Sequence, residues 1–539
     1  MSPERADQES EAAGIELATR YWQEQTGSTN RFDINRPVDA LTLRVALQAA
    51  ARGDQGVVFP EISNVAFVIS TNGAVILSLE DALCIAARND RDYQQYKEDI
   101  FTTALDLDYQ QFQFETSFSG MLLAALSRDS DENSRADGDG NAGFTRNFEN
   151  GATVAGRLAF DVARLLHDDW QSVGLTGDLT MTVPLLRGAG KEIVREPLTQ
   201  AERDLVYSVK GFEDYRQRFS VAVASSYFRV LESAQLVINA RENLERLKDN
   251  NERAEMMFDA GRMQRIQVDQ ARTDLLSAEQ SLINKRRKYQ SGLDAFKFQI
   301  GLPPEALLEL DSAELEQLQM EMKELASRTE SAVELFPDEV TSWRIALVSR
   351  YDLIVARLRV ADIERGVKIA ADALRADLSL SADVSSERRR STGDSNFSSD
   401  ERWGIGMEND LPWNRHRERN FFKKQLLLYK QAKRSLQEKE DSVKLEVMDG
   451  LRDLVAARKS YENQLESVKV AELRVKSNNL FMLSGRSSMR DVLEAEDSLL
   501  SARNSLVSAL IDWCLSDLEL RRDMGILKVD QDGLWQATL

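Results

Sequence analysis

Phe258 to Arg272 reads FDAGRMQRIQVDQAR and Phe481 to Glu496 reads FMLSGRSSMRDVLEAE, and each is a small-residue turn set inside a long helix-forming tract. Their glycines, Gly261 and Gly485, lie 224 residues apart (485 minus 261). A second pair, Gly301 in QIGLPP and Gly525 in DMGILK, keeps that offset (525 minus 301 is 224). Two landmarks sharing one offset mark an internal duplication. In each copy a glycine able to take positive φ ends one helix and lets another return, so each stretch is read as the tip of a helical hairpin.

The proline pattern permits the helices that such hairpins need. Residues 198–302 and 413–539 contain no proline, and a chain without proline can stay helical for many turns. From Pro197, tolerated near a helix start, to Asp259 the first helix would span about 90 Å at 1.5 Å per residue. In the second copy, from Asn414 to Leu483, the residues Val447, Leu451, Leu454, Tyr461, Leu465, Val468 and Val475 recur in a 3,4 pattern, which is a coiled-coil seam. Past Gly485, Val492, Leu499, Leu506 and Trp513 form one column seven apart and Leu493, Leu500, Val507 and Cys514 a second. Ala495, Ala502 and Ala509 form a third, suited to close helix approach.

Ahead of each long helix the period changes from helical to alternating. In the first copy a helix is expected from Leu77 to about Tyr109, with Ser78 as N-cap and Asp81 three residues on. Alternation follows through Phe112, Phe114, Phe118, Leu122, Ala124 and Leu126, and returns at Val173, Leu175, Leu179, Met181 and Val183, closed by Pro184. These are read as a strand pair over 110–184. The stretch between them, SRDSDENSRADGDGNAG, is read as a solvated loop, with Gly151 to Leu166 a candidate further strand. In the second copy a helix from Val340 precedes Leu378, Leu380, Ala382 and Val384, then Trp403, Ile405 and Met407, closed by Pro412: a strand pair over 376–412. Asp352 matches Asp92 at an offset of 260 (352 minus 92), the closing prolines at 228 (412 minus 184), so the first copy carries about 32 more residues between its strands.

The organisation expected is thus an N-terminal extension (1–76), a first repeat (77–302), an inter-repeat segment (303–339), a second repeat (340–527) and a tail (528–539). Residues 1–25 read as a polar helix, and NRPVDALTLRVALQAAARG as a short amphipathic segment.

Several classes of function are excluded or disfavoured. The formal charge of −20 argues against a nucleic-acid backbone as partner. Cys84 and Cys514 are the only cysteines, which leaves neither a disulfide framework nor a four-ligand metal site; Cys514, in an apolar run, is read as a small buried residue. His167 and His416 lie in unrelated contexts, and no nucleophile, base and partner are grouped, so no catalytic residue, cofactor or metal is expected. GAGK at 188–191 lacks the upstream glycine and following Ser or Thr of a phosphate loop. Asp129, Asp131 and Asn133 have the spacing of a calcium loop's start without its glycine. No run of about 20 uninterrupted apolar residues exists, whereas a transmembrane β-barrel escapes such a test. MSPERADQES holds no signal-peptide core, as in a cytoplasmic protein or a processed or truncated form.

Helix, strand, loop, strand, very long helix, glycine turn and returning helix, run twice, resembles the TolC-like family of outer-membrane efflux and export channels. The resemblance covers about residues 77–528 and rests on LSLEDAL, PLLRG, GRMQRIQVDQAR, GRSSMRDVLEAE and IGLPP in that order. It implies a mainly α fold with a membrane β part. Three copies would share one transmembrane β-barrel, four strands from each, continued by a periplasmic α-helical barrel. It implies a passive channel-tunnel of a tripartite efflux or type I secretion system, not an enzyme, working with a periplasmic adaptor and an inner-membrane transporter of RND, ABC or MFS type. By the same resemblance Gly261, Arg262, Met263, Gly485, Arg486 and Ser487 are adaptor-docking tips, and Asp491 and Glu494 line a periplasmic constriction. Gln267 departs from the acidic residue expected in the first copy. The rival reading is a non-membrane structural protein of long antiparallel coiled-coil hairpins, which explains the heptads but not the paired strands.

Overall fold

In the computed structural model the described residues are 3–32, 34, 46, 68–69, 74–128, 134–165, 171–328, 338–391, 398–410, 414–484, 486–530 and 533–535. The amphipathic segment expected after Asn35, the calcium-loop candidate at 129–133, Pro412 and Gly485 lie outside them. In chain order the elements are α1 (Pro3–Thr26), β1 (Val68–Ile69), β2 (Val75–Leu77), α2 (Leu79–Asn89), α3 (Arg91–Phe112), β3 (Thr116–Arg128), β4 (Ser134–Asn147), β5 (Thr153–Leu165) and β6 (Gln171–Pro184). Then follow α4 (Glu196–Asp259), α5 (Arg265–Gln299), β7 (Leu308–Leu310), α6 (Ala313–Arg328), α7 (Glu339–Ser349) and α8 (Tyr351–Asp372). The chain ends in β8 (Asp377–Ser391), β9 (Ser398–Asp410), α9 (His416–Leu483) and α10 (Met489–Asp523). The expected order of elements is present in both repeats.

The chain gathers into two compact units, each drawing segments from both repeats: residues 1–33, 98–210 and 355–437, and residues 34–97, 211–354 and 438–539. The first unit holds a six-stranded antiparallel sheet in the order β3-β4-β5-β6-β8-β9. Here the structure corrects the sequence reading. The first repeat supplies four strands rather than a pair, and SRADGDGN, expected to be loop, lies within β4. Cross-strand sterics account for this. The Phe160 ring of β5 lies over Gly140, where an added Cβ would come within 2.3 Å of it, and the Phe144 ring covers Gly156 in the same way, 2.4 Å from an added Cβ. Aromatic side chains thus fill the space that the glycines leave, which stabilises a strand whose own sequence disfavours one. Phe112 and Phe114, expected in the first strand, instead end α3 and form the turn after it.

The second unit is a packing of long helices with a small sheet, β1-β2-β7, in which β2 and β7 pair in parallel. Its helices bury the seams that the heptads foretold. Val447, Leu454 and Tyr461 of α9 are buried, as are Val492, Leu499 and Trp513 of the first α10 column and all three alanines of the third. Leu506 and the second column beyond Leu493 are only half-buried. Cys514 is one of those half-buried residues, and burial around its thiol pushes the pKa up to about 12, so it stays protonated. By length and composition α4 alone among the described helices could cross a membrane. One 18-residue window there reaches a mean hydropathy of 1.2, with 44 % of it buried among the chain's own residues, as in a core helix.

The duplication is visible in the packing of this unit. Ser78 caps α2 with Asp81 in a capping box, as expected. The helix expected to run from Leu77 to Tyr109 breaks at Asp90, whose Oδ1 accepts the Tyr93 N–H at 2.7 Å to start α3. Gly301 (φ +75) stands 2.6 Å from the Asn89 carbonyl oxygen, counted from where its Cβ would be. In the second repeat α7 and α8 break at Arg350, and Gly525 (φ +67) closes to 3.0 Å of the Arg350 nitrogen in the same sense. Each glycine therefore has two reasons to be glycine: a left-handed backbone and a neighbouring chain with no room for a methyl group. The second break is fastened by charge. Arg350 binds Asp352 at 2.9 Å and Glu446 at 2.6 Å, and Lys439 reaches Asp352 at 2.8 Å. Burial pushes the Asp352 carboxyl up, but these two cations outweigh it and hold the pKa at about 2.

Candidate membrane-spanning wall and helical tips

Strict alternation sorts the side chains of the six-stranded sheet onto two faces, because neighbouring residues of a strand point opposite ways and paired residues share a face. From the register Phe118↔Phe144↔Gly156↔Leu179↔Val384↔Trp403, one face is apolar across all six strands. It is also open: Phe118 is 81 % and Trp403 79 % exposed, and Leu122, Leu158 and Ile405 are exposed too. Along β6 the apolar band runs from Val173 to Val183, with Gly177 in its middle. Ten residue steps of about 3.4 Å, tilted about 45°, cross roughly 24 Å, close to the apolar height of an outer-membrane barrel. The opposite face is polar, carrying Asp139, Asp161, Asp178, Asp383 and Asp400 among hydroxyls and the guanidinium groups of Arg157 and Arg402. A sheet apolar towards one side and charged towards the other, with no helix covering the apolar side among the described residues, suits a wall between lipid and water.

Residues 175–301 match the family described as outer membrane efflux protein. Solved structures share the fold over most of the chain. The outer membrane protein VceC of Vibrio cholerae is 16 % identical, with 83 % of this chain and 96 % of that one covered and a TM-score of 0.59. For CusC the values are 14 %, 92 %, 98 % and 0.59, and for the MtrE outer membrane channel of Neisseria gonorrhoeae 14 %, 83 %, 89 % and 0.57. The chain has the TolC-like outer-membrane channel fold. The comparison with curated proteins returned no match. The resemblance read from the sequence motifs is thus met by a family match and by fold, and that family is one of channels rather than enzymes.

The tips of this TolC-like chain are built alike. In the first, the Arg262 N–H donates to the Met257 carbonyl at 2.8 Å and the Gly261 N–H to Phe258 at 2.9 Å, closing α4 with a left-handed glycine at φ +68. In the second, the Arg486 N–H donates to the Phe481 carbonyl at 2.8 Å, the same bond displaced by 224 residues (486 minus 262, 481 minus 257). Gly261, Arg262 and Arg486 are exposed and Ser487 half-buried, while Met263 is partly turned inward against the apolar cluster of Leu244, Ala271, Met489 and Val492. Four helices, α4, α5, α9 and α10, contribute to that cluster. Polar pairs join the two repeats beside it: Arg246 to the buried Glu496 at 2.8 Å, and Arg253 to Asn479 at 3.2 Å.

Asp491 and Glu494 have separate partners. Asp491 belongs to the N-terminal cap of α10, accepting from the Ser488 N–H at 2.9 Å, the Ser488 hydroxyl at 2.7 Å and the Ser487 hydroxyl at 3.2 Å. These bonds, those from Ser488 foremost, hold its carboxyl below the usual carboxylate range. Glu494 is paired with Arg474 of α9 at 2.9 Å. The Ser488-x-x-Asp491 spacing is a capping-box signature and was readable in the sequence. Arg474, 20 residues from its partner (494 minus 474) and on another helix, carried no such signal. Gln267, the departure from the acidic pattern, is half-buried one residue before the buried Val268. Among the described residues no group of His, Cys, Asp and Glu is placed to hold a metal ion.

Proposed function

We propose that three copies of this chain form a passive conduit in the outer membrane and periplasm of a Gram-negative-type cell. A periplasmic adaptor would open it and couple it to an inner-membrane transporter. One observation carries the reading: a six-stranded sheet, apolar on one face and polar on the other, whose outer strands each leave a hydrogen-bonding edge open. Such edges cannot face lipid, so the sheet must close on other copies of itself. The non-membrane coiled-coil alternative gives this sheet no role. Purified in detergent, the protein should have a mass near three times 60.9 kDa and should conduct ions when added to a planar lipid bilayer. A detergent-independent monomer without conductance would overturn the reading.

The tips are the adaptor-docking surface in this proposal, with Arg262 and Arg486 exposed beside Gly261 and Gly485. Arg262→Glu with Arg486→Glu removes the surface charge without touching the turn glycines. Export in cells should fall at least tenfold, with trimer and conductance unchanged; dissociation of the trimer would instead make the arginines structural.

Asp491 and Glu494 are the proposed ring at the periplasmic mouth, six carboxylates in a trimer, which would draw cations by concentrating one sign of charge in a narrow space. The capping and ion-pair partners sharpen the expectation. Glu494→Gln frees Arg474 and should lower cation preference in single-channel recordings more than Asp491→Asn, because Asp491 is already held by three hydrogen bonds. Asp491→Asn should in turn weaken the α10 cap by about 1 kcal/mol. Unchanged selectivity and multivalent-cation block in both variants would remove these residues from the pore lining.

A further inference from the structure

The two outer strands of the sheet, β3 and β9, are 13 residues long each, and neither has a second partner strand among the described residues. Every neighbouring pair in the sheet is antiparallel. With an even number of strands, β3 and β9 therefore run in opposite directions. β9 of one copy can pair antiparallel with β3 of the next, and a ring of copies closes without a parallel seam.

Four strands per chain would give a trimer twelve (3 × 4); this chain supplies six. We propose that the trimer builds an eighteen-stranded barrel (3 × 6) whose lumen admits solutes about twice as wide as a twelve-stranded one does. This rests on the trimeric channel reading above. The additional hairpin, β4 and β5, is part of the wall and not a loop folded over it. β4 is paired along 13 residues with β3 and along 13 with β5, and β5 continues into β6. The hairpin keeps the two-faced pattern, placing Leu158 and Phe160 on the apolar side and Asp139 and Asp161 on the polar side. Its turn is anchored as well: Glu149 binds Lys191 at 2.7 Å, and the Gly190 N–H donates to the Asn150 carbonyl at 3.4 Å.

Ring geometry converts strand count into width. With strands about 4.8 Å apart and tilted about 40°, a ring of eighteen has a Cα diameter of roughly 36 Å and a ring of twelve roughly 24 Å. Subtracting about 6 Å of side chain on each side leaves openings of roughly 24 Å and 12 Å; at the larger strand number barrels hold an aqueous channel.

The decisive comparison is between the wild-type chain and a variant in which residues 129–170 are replaced by Asn-Gly. That turn joins β3 directly to β6, which are antiparallel, and it keeps each strand's apolar face on the same side. Electron cryo-microscopy of the trimers in nanodiscs should show a barrel ring of about 36 Å shrinking to about 24 Å. Neutral polyethylene glycols added from the barrel side of a planar bilayer should lose access at about half the hydrodynamic radius in the variant. A wild-type trimer with a ring of about 24 Å, or with β4 and β5 outside the ring, would overturn the proposal while leaving the channel reading intact. A mass other than three copies would overturn that reading itself. If the shortened chain fails to fold, the wild-type ring diameter alone decides.

Discussion

Leu179→Arg is expected to abolish insertion into the outer membrane. Leu179 lies on β6, near the middle of the apolar band, between Gly156 and Val384 on the neighbouring strands, and is 47 % exposed on the face assigned to lipid. An arginine near the midplane of a membrane barrel costs about 2–4 kcal/mol, and a trimer carries three of them, so the penalty is of order 6–12 kcal/mol. That exceeds half of what typically holds a folded protein together. The neighbouring residue supplies the control. Asp178 points to the opposite face, across from Arg157, and Asp178→Asn should insert as well as the wild type. Membrane fractionation and trimer assembly read both variants. If Leu179→Arg inserts normally while Asp178→Asn fails, the lipid and water faces are the reverse of those assigned.

Trp513→Ala should produce the largest loss of helical stability. Trp513 is 1 % exposed, closes the column begun by Val492 and Leu499, and its ring centroid is 5.4 Å from that of Tyr461 on α9. Truncating it leaves a cavity and should cost about 3–5 kcal/mol, read as a lower denaturant midpoint of the helical circular-dichroism signal. Leu506, one heptad earlier in the same column, is half-buried. Leu506→Ala should therefore cost clearly less, even though the sequence pattern ranks the two positions alike. Equal losses would show that heptad position, rather than burial in this packing, sets the cost.

The contrast between Trp513 and Leu506 illustrates how far the sequence reaches. Periodicity says which side of a helix turns inward; it does not say how many neighbours surround each turn. The same limit applies at the tips. The Gly261 turn and the bond from Arg486 to Phe481 follow from local backbone chemistry, and the 224-residue offset announced them. The partner of Glu494 could not be read, because Arg474 reaches it across two helices whose relative rotation depends on packing along their whole length.

By itself, the sequence determined the duplication, the two long hairpins, the strands closing at Pro184 and ending near Asp410, the capping of α2 by Ser78, and the resemblance to TolC-like channels. These depend on residues close in sequence, through helical or alternating period, caps and turns, and such interactions are fixed by local geometry. Only the tertiary structure decided that Ser134–Asn147 is a strand, that the helices after Ser78 and Val340 break at Asp90 and Arg350, and that the chain brings six strands to one sheet. Gly140 tolerates strand geometry because Phe160, on the next strand, covers it. Asp90 and Arg350 stand where the chain around Gly301 and Gly525 presses against the helix breaks. Each of those choices is made by steric contact between segments distant in the sequence, and alternation or propensity within a short window carries no record of the partner that will make the contact.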